Sequence, residues 1–506
     1  MSDKIVNLEK IAEQSRVIKG NGQRVVLCHG TFDLMHTGHI RYLQRAKQEG
    51  DFLLVTVTAD EYVNKGPGRP IFNEQLRAEN LAALECVDFV AINNAISAVD
   101  VLHLIQPDVY AKGSEYQSHG DDVTGNIILE QQAVEAHGGE IFYTDEITFS
   151  SSSLLNEHFG VFPPETKHFL EQFSEKWSEK EIHSLVDSLA DLNVLVVGDA
   201  IIDQYHYVSP LGQTGKGSSL AVRYETEEQF AGGSIAVANH IAGFAKSVTL
   251  MAGLGDQDSH ETFIREKLKQ NVEPAFYYFK DAPTVTKRRF VDSDLSKLFE
   301  IYFYQDTPTL EDGGEEVCQW LVDSLSNYDV VVVADFGNGF IDEKMIAILC
   351  DKSRFLAVNT QINSGNRGYH VINRYARANF VSLNEPELRL AAHNRHSPLE
   401  EVSDSVAENV KAERLAITRG TKGMMMMDKK NRMVHKVPAL STRVIDRIGA
   451  GDAFLSLSAL CLGKGIDAEV AAFIGSVSAA MDVQIVCNRD AIDPVSLKKY
   501  VSTLLK

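Results

Sequence analysis

Hydrophobic residues in the first third of the chain occur as short continuous runs separated by segments with helical spacing. The runs "RVVLCHG", "DFLLVTVTAD", "DFVAIN" and "PDVYAKG" predict strands that are buried on both faces of a parallel sheet. Between them, Ile40, Leu43 and Ala46 recur at helical spacing, and "EQLRAENLAALECV" predicts a further helix. This alternation predicts a small, doubly wound α/β domain over residues 1–160.

A second α/β pattern follows a break at Pro163 and Pro164. Charged helical sequence after the two prolines predicts a connector over residues 161–191. The segments "NVLVVGD", "VVVVADFGNGF", "LAVNTQ" and "RLAITRG" predict further buried strands, and "MMMM" at 424–427 is interpreted as another. Residues 192–506 are therefore expected to form a second, larger α/β domain.

Composition narrows the classes of partner. The chain has 506 residues and a formal net charge of −21, which argues against nucleic acid or an anionic membrane as the main partner. A local positive pocket for a phosphate ligand remains compatible with this charge. The sequence shows no bilayer-length apolar run, no apolar core of a secretory signal, and no CxxC spacing among its six cysteines. These features predict a cytoplasmic protein with reduced thiols.

The segment "CHGTFDLMHTGHIRYL" at 28–43 places two histidines where a strand gives way to a helix. If the helix begins near Thr37, His36 and His39 lie on one side of its first turn. A helix N-terminus attracts anions, and imidazole donors there can stabilise the charge that builds on phosphorus during transfer. The same spacing is also compatible with two zinc ligands, although no third ligand lies nearby, or with capping and packing alone.

The surroundings of these histidines resemble the HxGH, cytidylyltransferase-like nucleotidyltransferases over residues 24–160. The resemblance rests on "GTFDLMHTGHIRYLQRA" followed in order by "NKGPGRPIFNEQLRAENLAALECVD", "PDVYAKGSEY" and "FSSSSLL". It implies a Rossmann-like domain in which His36 and His39 stabilise the pentavalent phosphorus. It also implies nucleotide or phosphate contacts from Gly30, Thr31, Phe32, Asp33, Lys65, Arg69, Arg77, Lys112, Gly113, Ser151, Ser152 and Ser153.

Some of these assignments have simpler alternatives. Lys65 and the two arginines could be solvated surface charges, and the serine run could be an ordinary helix cap. The family often has a basic residue after this serine run, and here Asn156 stands in its place.

The segment "DRIGAGDAFL" at 446–455 is a second candidate site. Gly449, Ala450 and Gly451 would form a nest of backbone N–H groups at the start of a helix. Asp452 beside such a nest is placed to take a proton from a hydroxyl group as it attacks ATP. A glycine-rich helix start with an aspartate near its cap would give the same pattern.

The second half resembles the ribokinase-like, phosphofructokinase-B sugar kinases over residues 190–506. The segments "VLVVGDAIIDQY", "AGGSIAVANHIAGF", "LGDQD", "SLNEPE" and "TRGTKG" occur in that family's order. The resemblance implies a small β lid, Asp452 as the base and Gly449–Gly451 as the anion hole. It further implies nucleotide contacts at Thr418, Gly420 and Gly423, sugar contacts at Asp203, Gly232, Gly233, Lys287 and Arg289, and indirect Mg²⁺ contacts at Asn384 and Glu387.

Three points qualify the second resemblance. The "ADFG" at 334–337 lacks the partner motifs of protein kinases, so Asp335 is interpreted as the end of a buried strand. Lys287 and Arg289 could alternatively lie on an exposed strand face.

The chain also departs from the kinases it resembles at Ala236, Asn338, Asn359, Arg447 and Ile448. These departures predict either an unusual substrate or a half that no longer phosphorylates anything.

Both halves together resemble the bifunctional heptose-7-phosphate kinase and heptose-1-phosphate adenylyltransferase family, with the domain order inverted. The resemblance implies a kinase that uses Mg²⁺ and ATP, a nucleotidyltransferase that uses ATP or CTP, a role in lipopolysaccharide or capsule precursor synthesis, and a homodimer. Two alternatives stay open. The chain could be a single-activity nucleotidyltransferase whose kinase-like half binds a sugar phosphate or dimerises, or a non-enzymatic sugar-phosphate sensor.

Overall fold

The computed structural model describes residues 3–63, 69–113, 126–144 and 162–505, apart from the single residues 216, 311 and 367. The chain divides into two compact units. The first contains Met1–Pro163 together with Lys498–Lys506, and the second contains Pro164–Leu497.

The first unit is built on a parallel sheet with the strand order β3-β2-β1-β4-β5. Its strands are β1 (Val25–Gly30), β2 (Phe52–Thr58), β3 (Phe89–Asn93), β4 (Val109–Gly113) and β5 (Glu140–Thr144). Its described helices are α1 (Leu8–Gly20), α2 (Thr37–Lys47), α3 (Glu74–Ala82), α4 (Val99–Ile105) and α5 (Asn126–Glu135). The strand order reverses between β1 and β4, and doubly wound sheets bind ligands at the carboxyl edge beside such a switch point.

Apolar side chains cover both faces of this sheet, which explains the unbroken apolar strands. On one face, Leu43 of α2 and Leu81 of α3 pack with Val55 of β2 in one buried cluster. On the other face, Ile11 of α1 and Leu102 of α4 belong to a second cluster. The predicted doubly wound α/β fold is confirmed.

The second unit contains a larger sheet with the strand order β9-β8-β6-β12-β13-β14-β15-β16-β17. Neighbouring strands are parallel from β9 to β15, and β16 and β17 are added antiparallel. The strands are β6 (Asn193–Gln213), β7 (Leu220–Gly233), β8 (Ser247–Gln257), β9 (Val272–Pro283), β10 (Thr286–Val291), β11 (Lys297–Phe303), β12 (Val330–Asp335), β13 (Leu356–Thr360), β14 (Phe380–Asn384), β15 (Arg414–Thr418), β16 (Met424–Asp428) and β17 (Met433–Val437).

Helices cover both the sheet and its ends. They are α6 (Pro164–Lys176), α7 (Glu179–Asp187), α8 (Ser234–Ala242), α9 (Glu261–Lys267), α10 (Glu315–Ser324), α11 (Glu343–Lys352), α12 (Glu385–Ala391), α13 (Leu399–Asn409), α14 (Ala450–Lys464) and α15 (Ala468–Asp482). The last helix, α16 (Pro494–Leu505), begins in the second unit, and its residues from Lys498 onward group with the first. The segment expected to be a connector contains α6 and α7, which group with the second unit. Phe173 of α6 stacks on Phe473 of α15 with ring centroids 4.2 Å apart, which attaches this segment to the unit's helical layer.

Strand β6 is much longer than the segment "NVLVVGD" predicts, because it belongs to two sheets in succession. Its first part pairs with β8 and β12 in the main sheet. Its second part, from Ala200 onward, pairs with β7 and β10, and β11 extends this smaller sheet. The smaller sheet is the lid that the resemblance implies. Its outer end on β6 is exposed from Pro210 onward.

Candidate functional site

His36 and His39 lie at the start of α2. His36 directly precedes the helix, and His39 lies in its first turn. His36 is the N-cap residue, and its Nδ1 accepts a hydrogen bond from the Gly38 N–H at 3.1 Å. The neutral ring therefore carries its proton on Nε2. His39 Nδ1 lies 3.1 Å from the Leu34 carbonyl oxygen, to which it donates. The two rings stack with centroids 4.0 Å apart, and partial burial lowers the pKa of His36.

The "GTFD" segment between β1 and α2 is held by buried polar contacts. Phe32 has φ of 49°, an unfavourable value for a bulky residue, and its ring packs in the core edge-on to His39. Asp33 Oδ1 accepts hydrogen bonds from the backbone N–H groups of Ile71 and Phe72 at 2.7 and 3.2 Å. Arg69 Nη1 lies 3.6 Å from Asp33 Oδ2, and both side chains are almost completely buried.

Arg77 organises the same segment. It is fully buried on α3 and donates to the carbonyl oxygens of Thr31, Thr58 and Phe72 at 2.6–2.9 Å, and to Asp60 at 2.6 Å. These bonds join the end of β2 to the segment that leads into α2. The sequence suggested a phosphate contact for Arg77, whereas this geometry supports a positioning role.

Lys112 and Gly113 end β4, and both are buried. Lys112 Nζ forms an ion pair with Glu130 of α5 at 2.8 Å. Sequence reasoning did not find Glu130, because α5 carries no motif that singles out one of its carboxylates. Gly30 lies at the end of β1 on the same carboxyl edge. Lys65, Ser151, Ser152 and Ser153 lie outside the residues that the structure describes.

In the second unit, the segment 449–452 opens α14. Gly449 is the N-cap with φ of 99°, a conformation that strongly favours glycine. A Cβ at this position would also lie 2.8 Å from Asp482 Oδ2, so glycine is required for space as well. The first N–H groups of a helix have no partner within the helix, and those of Ala450 and Gly451 lie in the first turn of α14, where an anion is stabilised.

Asp452 follows this nest, and its pKa is raised. Burial is the main cause that raises its pKa to about 7, the charge of Asp203 adds to the effect, Lys287 opposes it, and Glu387 adds to it again. Charges on residues up to 249 positions away in the sequence therefore act on Asp452. A carboxyl group with this pKa is matched to general-base work near neutral pH.

The predicted sugar contacts cluster around Asp203. This buried carboxylate accepts a short hydrogen bond from Arg289 Nη1, and Arg289 Nε lies 3.3 Å from Glu300. A Cβ on Gly232 would overlap Asp203 Oδ2, so the glycine permits the close approach of β7 to this carboxylate. Gly233 has φ of 62° and leads into α8. Lys287 is buried next to these groups, and burial is the main cause that lowers its pKa.

Asn384 and Glu387 form a reciprocal capping box at the start of α12. Each backbone N–H donates to the other side chain at 2.8 Å, and the Ile362 N–H donates to the second Glu387 oxygen at 3.3 Å. Burial raises the pKa of Glu387 to about 7 against the lowering effect of these donors. Thr418 pairs with Asn384 across β14 and β15, so both lie at the carboxyl edge.

Beyond Thr418, the chain turns on two glycines with positive φ, Gly420 at 57° and Gly423 at 73°. The Arg419 N–H donates to the Gly423 carbonyl at 2.8 Å and closes this turn.

The five departures from the resembled kinases are all accommodated in this unit. Ala236 is buried in α8, and Asn359 Nδ2 donates to the Ser382 carbonyl at 2.8 Å. The Asn338 N–H donates to Asp199, while its buried Nδ2 has no hydrogen-bond partner among the described residues. The Arg447 N–H donates to Asp446, and Ile448 packs against a small buried cluster next to the lid.

The structure also shows a buried acidic pair that the sequence analysis did not single out as a pair. Asp199 ends the main-sheet part of β6 and accepts N–H groups from Phe336, Asn338 and Phe340. Burial and the charge of Asp335 raise its pKa to about 6. Asp335 is the last residue of β12, as expected, and accepts from the Tyr375 hydroxyl at 2.8 Å. The "GD" that ends the segment "NVLVVGD" was the sequence feature from which Asp199 could have been predicted.

Within the described part of the chain, histidine, cysteine, aspartate and glutamate do not gather in groups of three or more that could hold a metal ion. None of the helices in the same described residues is long and apolar enough to span a membrane.

Family models match both units. The model described as pfkB family carbohydrate kinase matches residues 191–489, which is more than half of the chain. The chain belongs to the pfkB family of carbohydrate kinases. A second model, described as cytidylyltransferase-like, matches residues 27–157. Both resemblances inferred from the sequence are thereby confirmed, and the order of the two regions is nucleotidyltransferase-like first and pfkB second.

Similar proteins were found for each region of this pfkB family member. "Bifunctional protein HldE" from Methylobacillus flagellatus is 38% identical over 154 residues, which is 30% of each chain. The protein of the same name from Geotalea uraniireducens is 39% identical over 140 residues, or 27% of each chain. These matches cover the N-terminal region, so the chain spans less than a third of the length of these curated relatives.

Solved structures share the fold of the pfkB region. Ribokinase from Thermotoga maritima is 17% identical, with a TM-score of 0.50, and covers 62% of this chain and 99% of its own. Phosphofructokinase-2 from Escherichia coli is 16% identical, with a TM-score of 0.51, and covers 63% of this chain and 100% of its own. At these identities the likeness shows the ribokinase-like fold alone.

Proposed function

We propose that this protein is a bifunctional enzyme of sugar-nucleotide synthesis. The second unit phosphorylates a heptose-like sugar or sugar phosphate with Mg²⁺ and ATP, and the first unit joins a sugar 1-phosphate to the nucleotidyl group of ATP or CTP. The observation that carries this proposal is common to both units. Each presents its candidate catalytic side chains at the N-terminus of a helix, His36 and His39 on α2 and Asp452 on α14.

In the kinase reaction, Asp452 takes the proton from the sugar hydroxyl as that oxygen bonds to the γ-phosphorus of ATP. The bond between the γ-phosphorus and its bridging oxygen breaks, and ADP leaves. The N–H groups of Ala450 and Gly451 stabilise the charge on the transferring phosphoryl group. Asp203 binds sugar hydroxyls, and Lys287 and Arg289 supply positive charge for an anionic group of the substrate.

Mg²⁺ bound with ATP neutralises phosphate charge in reactions of this kind. Glu387 suits an indirect contact with it, because each of its oxygens accepts one backbone N–H and retains a second acceptor position. The nucleotide is expected to bind beside Asn384, Thr418 and the turn at Gly420 and Gly423.

In the nucleotidyl transfer, a phosphate oxygen of the sugar 1-phosphate attacks the α-phosphorus of the nucleoside triphosphate, and pyrophosphate leaves. His36 donates from Nε2 to an oxygen on the reacting phosphorus. The ring of His39, which stacks on that of His36, binds the same phosphate group. The relatives that match this region are named bifunctional proteins, which supports two activities in one chain. The product would be an activated sugar for a surface glycan such as lipopolysaccharide or capsule.

A second candidate is a single-activity nucleotidyltransferase whose pfkB unit binds a sugar phosphate or dimerises without catalysis. One observation favours it: Arg289 already occupies the Asp203 carboxylate, which the kinase would use for the sugar. The partner and location assignments, a homodimer in the cytoplasm, belong to the proposal as well.

Substrate assays distinguish the two candidates. Purified protein is given ATP or CTP with heptose 1-phosphate while pyrophosphate is measured, and Mg-ATP with heptose or heptose 7-phosphate while ADP is measured. The bifunctional proposal predicts both products. Pyrophosphate without ADP for any of these sugars favours the single-activity candidate, and the absence of both products contradicts the proposal.

A further inference from the structure

Lys112 lies at the carboxyl edge of the first unit's sheet, next to the strand that leads into the histidine segment. The parallel register pairs Leu27 with Tyr110 and Cys28 with Ala111, so the following residues, His29 and Lys112, lie side by side. Burial and the neighbouring Lys112 charge lower the pKa of His29 to about 4, which keeps that imidazole neutral near pH 7. Of these two neighbours, Lys112 therefore carries the positive charge.

Glu130 of α5 fixes this ammonium from the interior. Its carboxylate is 4% exposed, and it accepts hydrogen bonds from Lys112 Nζ at 2.8 Å, from the Tyr110 hydroxyl at 3.0 Å and from the Ala98 N–H at 3.2 Å. Burial is the largest single influence on the pKa of Glu130 and tends to raise it, but the charge and hydrogen bond of Lys112, with smaller contributions from His29 and the Ala98 N–H, together lower the pKa. The donors come from β4 and from the start of α4, so Glu130 is itself held on several sides.

We propose that Glu130 is a positioning residue for nucleotidyl transfer, which holds the Lys112 ammonium at the carboxyl edge so that it binds a phosphate oxygen of the sugar 1-phosphate. The inference rests on the proposed function of the first unit. Glu130 acts through Lys112 and does not contact the substrate. A lysine side chain has many rotamers, and fixing one of them before the substrate binds removes an entropic cost from the productive complex. An ammonium has three N–H donors, so a carboxylate and a phosphate oxygen can share it.

A double-mutant cycle in the full-length protein tests this coupling. Pyrophosphate release is measured with heptose 1-phosphate for Glu130→Gln, Lys112→Met and the double variant, with Glu135→Gln as the matched control on an exposed position of the same helix. Each single variant is expected to lower kcat/KM for heptose 1-phosphate by roughly 10- to 100-fold, chiefly through KM. The KM for the nucleotide stays within about twofold, and Glu135→Gln behaves like the wild type.

The double variant shows whether Glu130 acts through Lys112. If Glu130 acts only through Lys112, the double variant is no worse than Lys112→Met alone. Additive losses, or a lower Tm with an unchanged KM, would overturn the proposal, because either result describes a purely structural carboxylate. Should Glu130→Gln fail to fold, Glu130→Asp keeps the charge but shortens its reach, and it is expected to raise the same KM by a smaller factor.

A binding measurement separates this inference from the proposed function. If the wild type releases no pyrophosphate, the proposed transfer reaction fails, and calorimetry with inorganic phosphate then reports on the pair directly. Weaker phosphate binding in both Lys112→Met and Glu130→Gln than in Glu135→Gln supports the positioning role. Equal binding in all three variants overturns it.

Discussion

The imidazole rings of His36 and His39 stack at a centroid distance of 4.0 Å, and His36 also caps the helix that carries both. A loss of activity on mutating His36 could therefore come from a frayed helix. His36→Asn separates the two effects, because asparagine is a good N-cap but lacks the Nε2–H donor of histidine. We expect Tm to stay within about 2 °C of the wild type while kcat for pyrophosphate release falls roughly 10²- to 10³-fold. Near-normal kcat in His36→Asn would show that the residue only caps α2.

The pH dependence of ADP formation reports on Asp452. Burial and the Asp203 charge raise its pKa to about 7, and a general base works only when deprotonated. The kcat/KM for the sugar is therefore expected to fall about tenfold per unit as the pH drops below 7, and to level off above it. Pyrophosphate formation in the same preparation serves as the control. A kinase profile that stays flat from pH 5.5 to 8 would rule out Asp452 as the titrating base.

Arg77 is expected to matter for stability more than for phosphate binding. Its guanidinium is fully buried and donates to three carbonyl groups and Asp60. Replacement by methionine leaves those acceptors and a carboxylate without their donor, at an expected cost of about 3–5 kcal/mol in the free energy of unfolding. Denaturant unfolding of Arg77→Met checks this, with the exposed Arg16→Met as the control. Unchanged stability with a raised KM for the nucleotide would instead support the phosphate contact suggested by the sequence.

Asp482 is expected to destabilise the second unit as the pH rises. Neither of its buried carboxylate oxygens has a hydrogen-bond partner among the described residues, and His240 Nε2 lies 3.7 Å away. Burial, with the charges of Asp452 and Asp446 adding to it, raises its pKa well above the ordinary value. The raised pKa means that the folded protein holds a proton that the unfolded chain releases. The free energy of unfolding therefore falls as the pH rises from the ordinary aspartate pKa towards the raised pKa of Asp482.

Asp482→Asn imitates the protonated carboxyl group and removes this penalty. At pH 8 it is expected to be more stable than the wild type by about 1–3 kcal/mol, with the difference shrinking towards pH 5. Thermal unfolding across that pH range measures the effect, and the exposed Asp490→Asn is the control. A lower Tm for Asp482→Asn at pH 8 would show that the ionised carboxylate stabilises the fold.

The sequence predicted the parts of this protein that depend on local pattern. Continuous apolar runs identified the parallel strands, and the "HTGH" and "GAGD" segments located two helix starts, because a cap or a glycine nest is encoded by neighbouring residues. The length of β6 was missed, because its continuation into the lid depends on pairing with β7 and β10, which are distant in the chain. Glu130 and the roles of Arg77 and Asp482 were missed for the same reason, since burial and partners are set by tertiary contacts.

The proposed function assigns two independent activities to one chain. The most direct test measures pyrophosphate release and ADP formation in parallel for the wild type, His39→Ala and Asp452→Asn. We expect His39→Ala to lose pyrophosphate release by at least about 10²-fold and to keep ADP formation, and Asp452→Asn to show the reverse pattern. ADP formation that is absent from the wild type, or that persists unchanged in Asp452→Asn, would contradict the assignment of a kinase activity to the second unit.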